Sequence, residues 1–398
     1  MENKRLKIAL VCDAFMPMMD GVIMVIDNYA RLLSKNNDVT VFAPRARDKN
    51  YKDNLPYRVV RCKILPVNVG DYNMPLPAFD KNLKKIFKNE HFDIIHLHSP
   101  FTLPRMAIKY AKKQNIPVVI TMHSQYYRDF LLATKSKFVS KQMLKFVAKT
   151  FNSCNELWTM NPACEQLSIA YGYKGKIKLM PNGTNLVNNF SQEQITQYAN
   201  EIKQKHNIKN DEKIFIYIGR MHKLKNLDFV VDVCKNLKDK NFKFKMIFVG
   251  GGAHFQHFEK RVKELNLQDV IVFAGRIYDD LEKSKYIMAA NLQLFPSYYD
   301  TDGIVRIEAA AFNVPTVFIE NSVAASVITD EVNGYVGKDD VELFSDKIIN
   351  IFNDKAKYAW VRKNCKTDLY ITWDSIVNNA LKNYKEIIDE NNKKGSLK

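Results

Sequence analysis

Short apolar segments of strand length, each followed by a loop and a helical pattern, limit the folds open to this chain. Leu6–Cys12 is apolar apart from Lys7, as is typical of a parallel strand buried on both faces. A loop ending at Gly21, a helical pattern over Val22–Lys35 and a second strand at Val39–Ala43 follow. This order opens a Rossmann-like domain and predicts an α/β fold.

The alternation of strands and helices begins again in the second half of the chain. Lys213–Arg220 has the pattern of a buried strand and follows a polar linker at about 184–210. A chain of 398 residues can form two domains with separate cores. We expect them over 1–190 and 191–372, and the polar segment 391–398 is typical of a disordered tail.

The charge of the chain restricts its partners. The formal net charge of +17 favours nucleic acid, an anionic membrane or a phosphorylated substrate, although a lysine-rich bias across the organism would give the same excess. The lysines are spread through the chain rather than grouped with stacking aromatic residues. That distribution argues against a nucleic-acid partner.

The cysteines and the apolar runs point to a cytosolic chain. The six cysteines include no Cys-x-x-Cys pair, which argues against structural zinc and a disulfide framework. The apolar runs are well short of the ~20 residues of a membrane span, and the first residues do not match a signal peptide. His96 and His98 share one face of a strand, but a third metal ligand is not evident, so we expect no metal.

One strand–loop–helix junction predicts an anion site flanked by acids. After an apolar strand, a helix start at Gly303 leaves the amides of Gly303, Ile304 and Val305 at the positive end of a helix dipole, where phosphate binds. Asp300 precedes the glycine, and Glu308 lies roughly 7.5 Å along the helix axis. Such acids can reach sugar hydroxyls on either side of a phosphate. An ordinary junction with a solvated loop is the alternative.

The order Asp300, seven residues, Glu308-Ala309 resembles the acid-x7-acid motif of retaining GT-B glycosyltransferases that use nucleotide sugars. Six further motifs between residues 6 and 380 are similar to the same family, in the same order. The resemblance implies two Rossmann-like domains facing a cleft, with a last helix at 373–390 crossing back to the first domain. The family usually has Glu at position 300, so Asp300 shortens the reach by one methylene.

The resemblance also implies roles for residues of the second domain. Glu308 would hold the ribose of the donor and Asp300 its sugar hydroxyls. Arg220 and Lys225, which follow a strand, match the diphosphate-binding pair of the family and would neutralise charge on the leaving nucleotide. An exposed basic loop is the alternative for these two residues.

In the first domain, the resemblance concerns two loops. His123 follows a strand, at the end of the sheet where ligands bind, and it matches a histidine of the family that contacts the donor sugar. The alternative is a loop histidine whose hydrogen bonds are made within the protein. Gly21 matches a glycine that lets the backbone approach the donor phosphate, and Asp20-Gly21 is similar to lipid-glycosylating branches. No side chain stands out as a covalent nucleophile, which suits the front-face mechanism of the family, without metal or other cofactor.

Two basic segments predict contact with an anionic membrane. One is a short helix near residues 81–88, and the other is an amphipathic stretch, Leu131–Thr150. Basic amphipathic helices can lie on membranes, although a domain helix with a solvated face has a similar pattern. The lysines concerned are Lys81, Lys84, Lys85, Lys141 and Lys145.

Together these features predict a retaining, metal-independent glycosyltransferase on the cytoplasmic face of the cell membrane. We expect it to move a hexose from a nucleotide sugar, a UDP-hexose, to a hydroxyl of a lipid such as diacylglycerol. Polysaccharide assembly on a lipid carrier is the alternative acceptor chemistry. A nucleotide-sugar epimerase would need neither an acceptor nor the spacing from Asp300 to Glu308.

Overall fold

The computed structural model describes residues 5–69 and 72–396. Its contacts divide the chain into two compact units. The first runs through Asn182 and resumes at Trp373, and the second spans Gly183–Thr372. The division therefore lies ahead of the predicted boundary at residue 190.

The first unit is built on a parallel sheet. Its strands are β1 (Lys7–Val11), β2 (Asp38–Pro44), β3 (Arg58–Cys62), β4 (Ile64–Val69), β5 (Tyr72–Pro75), β6 (Ile94–Leu97), β7 (Val118–Thr121), β8 (Glu156–Thr159) and β9 (Lys176–Leu179). The sheet has the order β3-β2-β1-β6-β7-β8-β9, and β4 pairs with β5 as an antiparallel hairpin. Its helices before the second unit are α1 (Gly21–Leu33), α2 (Lys81–Asn89), α3 (Thr102–Gln114), α4 (Tyr126–Thr134), α5 (Lys137–Phe151) and α6 (Pro162–Ala170).

The second unit repeats this design with a smaller sheet. Its strands are β10 (Lys213–Ile218), β11 (Phe244–Val249), β12 (Ile271–Gly275), β13 (Leu292–Phe295), β14 (Thr316–Ile319) and β15 (Tyr335–Gly337). They are parallel, in the order β12-β11-β10-β13-β14-β15. Its helices are α7 (Gln192–Lys205), α8 (Leu227–Asp239), α9 (Phe255–Glu264), α10 (Asp280–Ala289), α11 (Ile304–Ala311), α12 (Val341–Asn353) and α13 (Lys355–Leu369), and α14 (Trp373–Ser396) closes the first unit.

Burial of both sheet faces explains why the central strands β1 and β10 are mostly apolar. Ile8 and Leu10 of β1 are fully buried, as are Phe215 and Ile216 of β10. In each sheet the strand order reverses beside the first strand, between β1 and β6 and between β10 and β13. Ligands of open α/β sheets bind at the carboxyl ends of strands at such a reversal. The predicted fold class, with two Rossmann-like domains, is confirmed.

The sequence suggests one amphipathic helix over Leu131–Thr150. In the structure this stretch is instead divided between α4 and α5. Lys135 takes a left-handed conformation with φ of 53° and ends α4. Ser136 then caps α5, because its hydroxyl accepts a hydrogen bond from the Val139 amide at 3.3 Å. A left-handed lysine leaves no mark in a periodic pattern, so the break was missed.

The predicted disorder of the last residues is also corrected. Helix α14 continues through residues 391–396, and 397–398 lie outside the described residues. The helix is anchored along its length, because Tyr384 is fully buried and the Asn391 side-chain amide donates to the Asn115 carbonyl at 2.7 Å. Within the described ranges, no helix combines the length and apolar character required to cross a membrane.

Candidate functional site

The position just before the helix that follows β13 requires glycine. Gly303 precedes α11 with φ of 119°, a conformation that side chains rarely adopt. A Cβ at this position would lie 2.9 Å from the ring of Phe295. In the described structure no side chain caps the start of α11. The amides of Ile304 and Val305 are thus at an uncapped helix start, as the sequence predicts.

The loop before this helix is tied to the segment that follows β10. The hydroxyl of Ser297 accepts a hydrogen bond from the Asp300 amide at 3.3 Å. The Asp300 carboxylate forms an ion pair with Lys225, and both side chains are mostly buried. The neighbouring Asn226 side chain donates to the Pro296 carbonyl at 3.2 Å. The structure therefore brings Asp300 and Lys225 together at the strand-order reversal.

Glu308 lies in α11 with only 5% of its surface exposed. Its Oε1 atom is 2.9 Å from Nζ of Lys283, a residue of α10 that sequence reasoning missed. Asp280 lies 3.3 Å from the same ammonium group. Burial lowers the pKa of Lys283, but the charges and hydrogen bonds of Glu308 and Asp280 together outweigh burial and leave the pKa raised. Lys283 is therefore a cation held against the second predicted acid.

A second pair missed from the sequence lies inside the same junction. Asp302 and Arg306 are four residues apart, on either side of Gly303, and Arg306 Nη2 is 2.6 Å from Asp302 Oδ1. The two side chains are 3% and 4% exposed. The spacing could have indicated the pair, but the pattern alone is also typical of a solvated face. Each of the three acids at this junction is thus matched by a cation.

The segment after β10 is shaped by close backbone packing. A Cβ on Gly250 would lie 1.9 Å from the Gly219 carbonyl oxygen, so a side chain at Gly250 would block the approach of the two strand ends. Arg220 follows Gly219 and is exposed, and its carbonyl accepts a hydrogen bond from the Tyr217 hydroxyl at 3.2 Å. Arg220 and Lys225 therefore lie on one short connection between β10 and α8.

His123 of the first unit is buried and electrically neutral. It follows β7 and is 8% exposed. Its Nε2 atom lies 3.1 Å from Nδ1 of His98. Burial lowers the pKa of His123 to about 3 and, with the neighbouring histidines, that of His98 well below its usual value. Among described residues, no three His, Cys, Asp or Glu side chains form a group that could hold a metal ion.

Asp13 is a further carboxylate, half-buried, at the reversal in the first sheet, and sequence reasoning missed it. It follows β1, and its carboxylate accepts hydrogen bonds from the Ser99 hydroxyl at 2.7 Å and the Leu103 amide at 2.9 Å. It thereby caps α3, whose own preceding residue does not. Gly21 is the exposed first residue of α1, and the space where its Cβ would point is open within the described structure.

The lysines predicted to contact a membrane lie on two helices of the first unit. Lys81 and Lys85 are exposed on α2, whereas Lys84 donates to the Ala78 carbonyl. Lys141 and Lys145 are exposed on α5. On the same helix Val139, Met143 and Phe146 are 42%, 38% and 45% exposed, so α5 presents apolar and basic residues together.

Family models match both halves of the chain. The model described as "Glycosyl transferases group 1" matches residues 199–368, and "Glycosyltransferase Family 4" matches residues 19–187. The chain is a glycosyltransferase whose second half matches the group 1 family. The junction described above lies within the residues of this glycosyltransferase that the group 1 model matches.

Two curated relatives of this glycosyltransferase share a name that refers to a glycolipid. The alpha-monoglucosyldiacylglycerol synthase of Streptococcus pneumoniae is 25% identical over 343 residues, covering 84% of this chain and 76% of the relative. The protein of the same name from Acholeplasma laidlawii is 22% identical and covers 98% of this chain and 99% of the relative.

Solved glycosyltransferases of GT-B architecture share the fold over nearly the whole chain. Anabaena Alr3699/HepE, in complex with UDP and glucose, superposes with a TM-score of 0.74 at 15% identity, covering 96% of this chain and all of that one. Sucrose-phosphate synthase from Thermosynechococcus elongatus gives a TM-score of 0.76 at 19% identity, covering 97% of this chain and all of that one.

Proposed function

We propose that this glycosyltransferase moves glucose from UDP-glucose to a hydroxyl of diacylglycerol, with retention of the anomeric configuration and without a metal ion. One observation carries the proposal: an uncapped helix start at Gly303 lies between two carboxylates, Asp300 and Glu308, each paired with a lysine. The similarity to two alpha-monoglucosyldiacylglycerol synthases supports the acceptor. The UDP complex of a structural neighbour supports the donor.

The donor diphosphate would be held by backbone and side-chain charges of the second unit. Amides at a helix start bind anions without an additional cation. Arg220 and Lys225 would add positive charge where the leaving diphosphate develops its negative charge. Lys225 is already paired with Asp300, so donor binding would share the ammonium group between the carboxylate and a phosphate.

Retention would follow from attack on the face that the diphosphate leaves. The bond from the anomeric carbon to the phosphate oxygen breaks, and the acceptor oxygen bonds to that carbon from the same side. The acceptor proton passes to the departing phosphate oxygen. This route needs no side-chain nucleophile. His123, with its pKa of about 3, would stay a neutral imidazole at the pH of the reaction.

Helix α5 would bring the enzyme to its lipid acceptor. Val139, Met143 and Phe146 recur at intervals of four and three residues and therefore form one ridge of the helix. Lys141 and Lys145 form a separate exposed ridge, on the other side of the solvent-facing surface of the helix. A helix that exposes both an apolar ridge and a basic ridge can lie at the interface of an anionic membrane, where the apolar ridge enters the lipid and the ammonium groups meet head groups.

The charge of α5 permits an estimate of this attraction. Its lysines at positions 137, 141, 145 and 149 are all exposed. Each lysine near an anionic surface contributes about 1 kcal/mol, so four contribute on the order of 4 kcal/mol. That corresponds to about a thousandfold in partitioning, and salt should reduce it. The basic face of α2, with exposed Lys81 and Lys85, would strengthen the same attraction.

Transfer activity tests the reaction. The protein is incubated with UDP-glucose and vesicles that contain diacylglycerol, and the glucolipid and its anomeric configuration are read by NMR. Glu308→Gln should lower kcat/KM by about 100-fold or more, because two hydrogen bonds from hydroxyls to a charged group are weakened. Glu320→Gln is the control, since Glu320 pairs with Lys338 at 2.8 Å outside this junction. Full activity in Glu308→Gln would refute the site.

Vesicle flotation tests the membrane surface separately. The protein should float with vesicles rich in anionic lipid and not with neutral ones. The double variant Val139→Ser with Met143→Ser should lose most of this binding. Leu343→Ser removes an apolar side chain that is 54% exposed on α12 of the other unit, and it should bind as the wild type does. Equal flotation of all three proteins would contradict the role of α5. Transfer of glucose to a lipid-linked saccharide and not to diacylglycerol would show that the saccharide is the acceptor.

A further inference from the structure

Two lysines of α10 make ion pairs of different kinds. Lys283 reaches Glu308 of α11 at 2.9 Å and Asp280 of its own helix at 3.3 Å. Lys285 reaches Glu201 of α7 at 2.6 Å. The two lysine side chains are similarly buried, at 16% and 20% exposure. Only Lys283 contacts the acid that the proposed function places on the donor.

The burial of Glu308 makes its partner necessary. Its side chain is 7% exposed, and a buried carboxylate that loses its cation is strongly destabilised. The Lys283 ammonium group donates a hydrogen bond to Oε1 of Glu308 and so restricts the rotation of the Glu308 carboxylate. An ionised carboxylate offers about four lone-pair positions. One is taken by the ammonium group, and the others stay available as acceptors.

We propose that Lys283 is a positioning residue that fixes the Glu308 carboxylate for the two hydroxyls of the donor ribose. The inference rests on the proposed function, because it takes the donor to be a nucleotide sugar. Two neighbouring hydroxyls donate two hydrogen bonds, and a carboxylate held in one orientation accepts both without first losing rotational freedom. Lys283 acts only through Glu308 and does not itself bind the nucleotide.

A position-only role predicts a particular kinetic pattern. The hydrogen bonds to the ribose stabilise the ground state and the transition state equally, so their loss raises KM and leaves kcat nearly unchanged. Lys283→Met should raise KM for UDP-glucose by about 10- to 100-fold, the range expected for a weakened charge-assisted hydrogen bond. Lys283→Arg keeps the cation and should return KM to within roughly threefold of wild type. Lys285→Met should match the wild type.

Donor analogues separate positioning from direct contact. With UDP-glucose that lacks both ribose hydroxyls, the contact made by Glu308 is already lost. Lys283→Met should then raise KM by less than about twofold, whereas a lysine that binds the phosphates or the base would still produce the full effect. The double variant Glu308→Gln with Lys283→Met should be no weaker than Glu308→Gln alone, and it removes the uncompensated charge if Lys283→Met folds poorly.

The outcomes distinguish this inference from the proposed function. A wild type that does not turn over UDP-glucose refutes both. An active wild type for which Lys283→Met behaves as Lys285→Met does refutes only the inference. An equal rise in KM for both forms of the donor refutes it as well, because Lys283 would then contact the nucleotide directly.

Discussion

The buried pair of Asp302 and Arg306 offers a quantitative test of how the donor junction is held together. Both side chains are at most 4% exposed, and they meet at 2.6 Å around Gly303. Removal of one member strands the other charge in the interior, which costs about 3–5 kcal/mol, whereas replacement of both by apolar residues is often neutral. Arg306→Met should therefore be far more damaging than Asp302→Leu combined with Arg306→Met.

Calorimetry measures this difference. In a unit of this size 1 kcal/mol shifts Tm by about 2–4 °C, so Arg306→Met should lower the Tm of the second unit by roughly 6–20 °C. The double variant should recover most of the loss, so the coupling energy, which is the difference between its loss and the sum of the two single losses, should be about 5 kcal/mol or more. Lys235→Met breaks an exposed pair with Asp239 and should shift Tm by no more than about 4 °C. If the two single losses simply add in the double variant, the reasoning is refuted.

Two further predictions concern backbone strain and pH. Gly303→Ala should destabilise the second unit by about 1–3 kcal/mol and raise donor KM, because the new Cβ meets Phe295 and alanine resists this φ; an unchanged melt and KM would contradict the geometry. Acid should destabilise the first unit, because His123 stays neutral in the fold down to a pKa of about 3 while the unfolded chain binds protons below about pH 6.5. The free energy of unfolding should therefore fall as the pH falls between these values, by up to about 1.4 kcal/mol per pH unit for His123. In urea titrations from pH 7 to pH 4, His98→Asn should make this loss less steep. If the dependence of unfolding free energy on pH is the same in the variant and the wild type, the histidines are not buried and neutral.

The parts of the fold that the sequence predicts are those with a local cause. A strand buried on both faces must be apolar over its buried residues, so Ile8–Cys12 and Ile214–Ile218 are recognisable without their neighbours. Gly303 is recognisable too, since a helix that starts at glycine after a strand exposes its amides. The structure adds the reason that glycine is required there, which is the ring of Phe295.

The parts that were missed depend on contacts between distant segments. Lys283 reads as one of many surface lysines until α10 is packed beside α11, where it meets Glu308 at 2.9 Å. In the sequence Asp13 is an ordinary loop residue. Only the fold shows that its carboxylate accepts a hydrogen bond from the amide of Leu103, ninety positions away. Strands β3 to β5 escaped prediction because their segment is basic and lacks long apolar runs.

A crystal structure of the protein with UDP is the most direct test of the central claim, which is that the start of α11 holds the diphosphate of the donor. The account predicts phosphate oxygens within hydrogen-bonding distance of the Ile304 and Val305 amides, with the ribose hydroxyls on Glu308. A nucleotide bound away from α11, or one whose ribose does not meet Glu308, would contradict it.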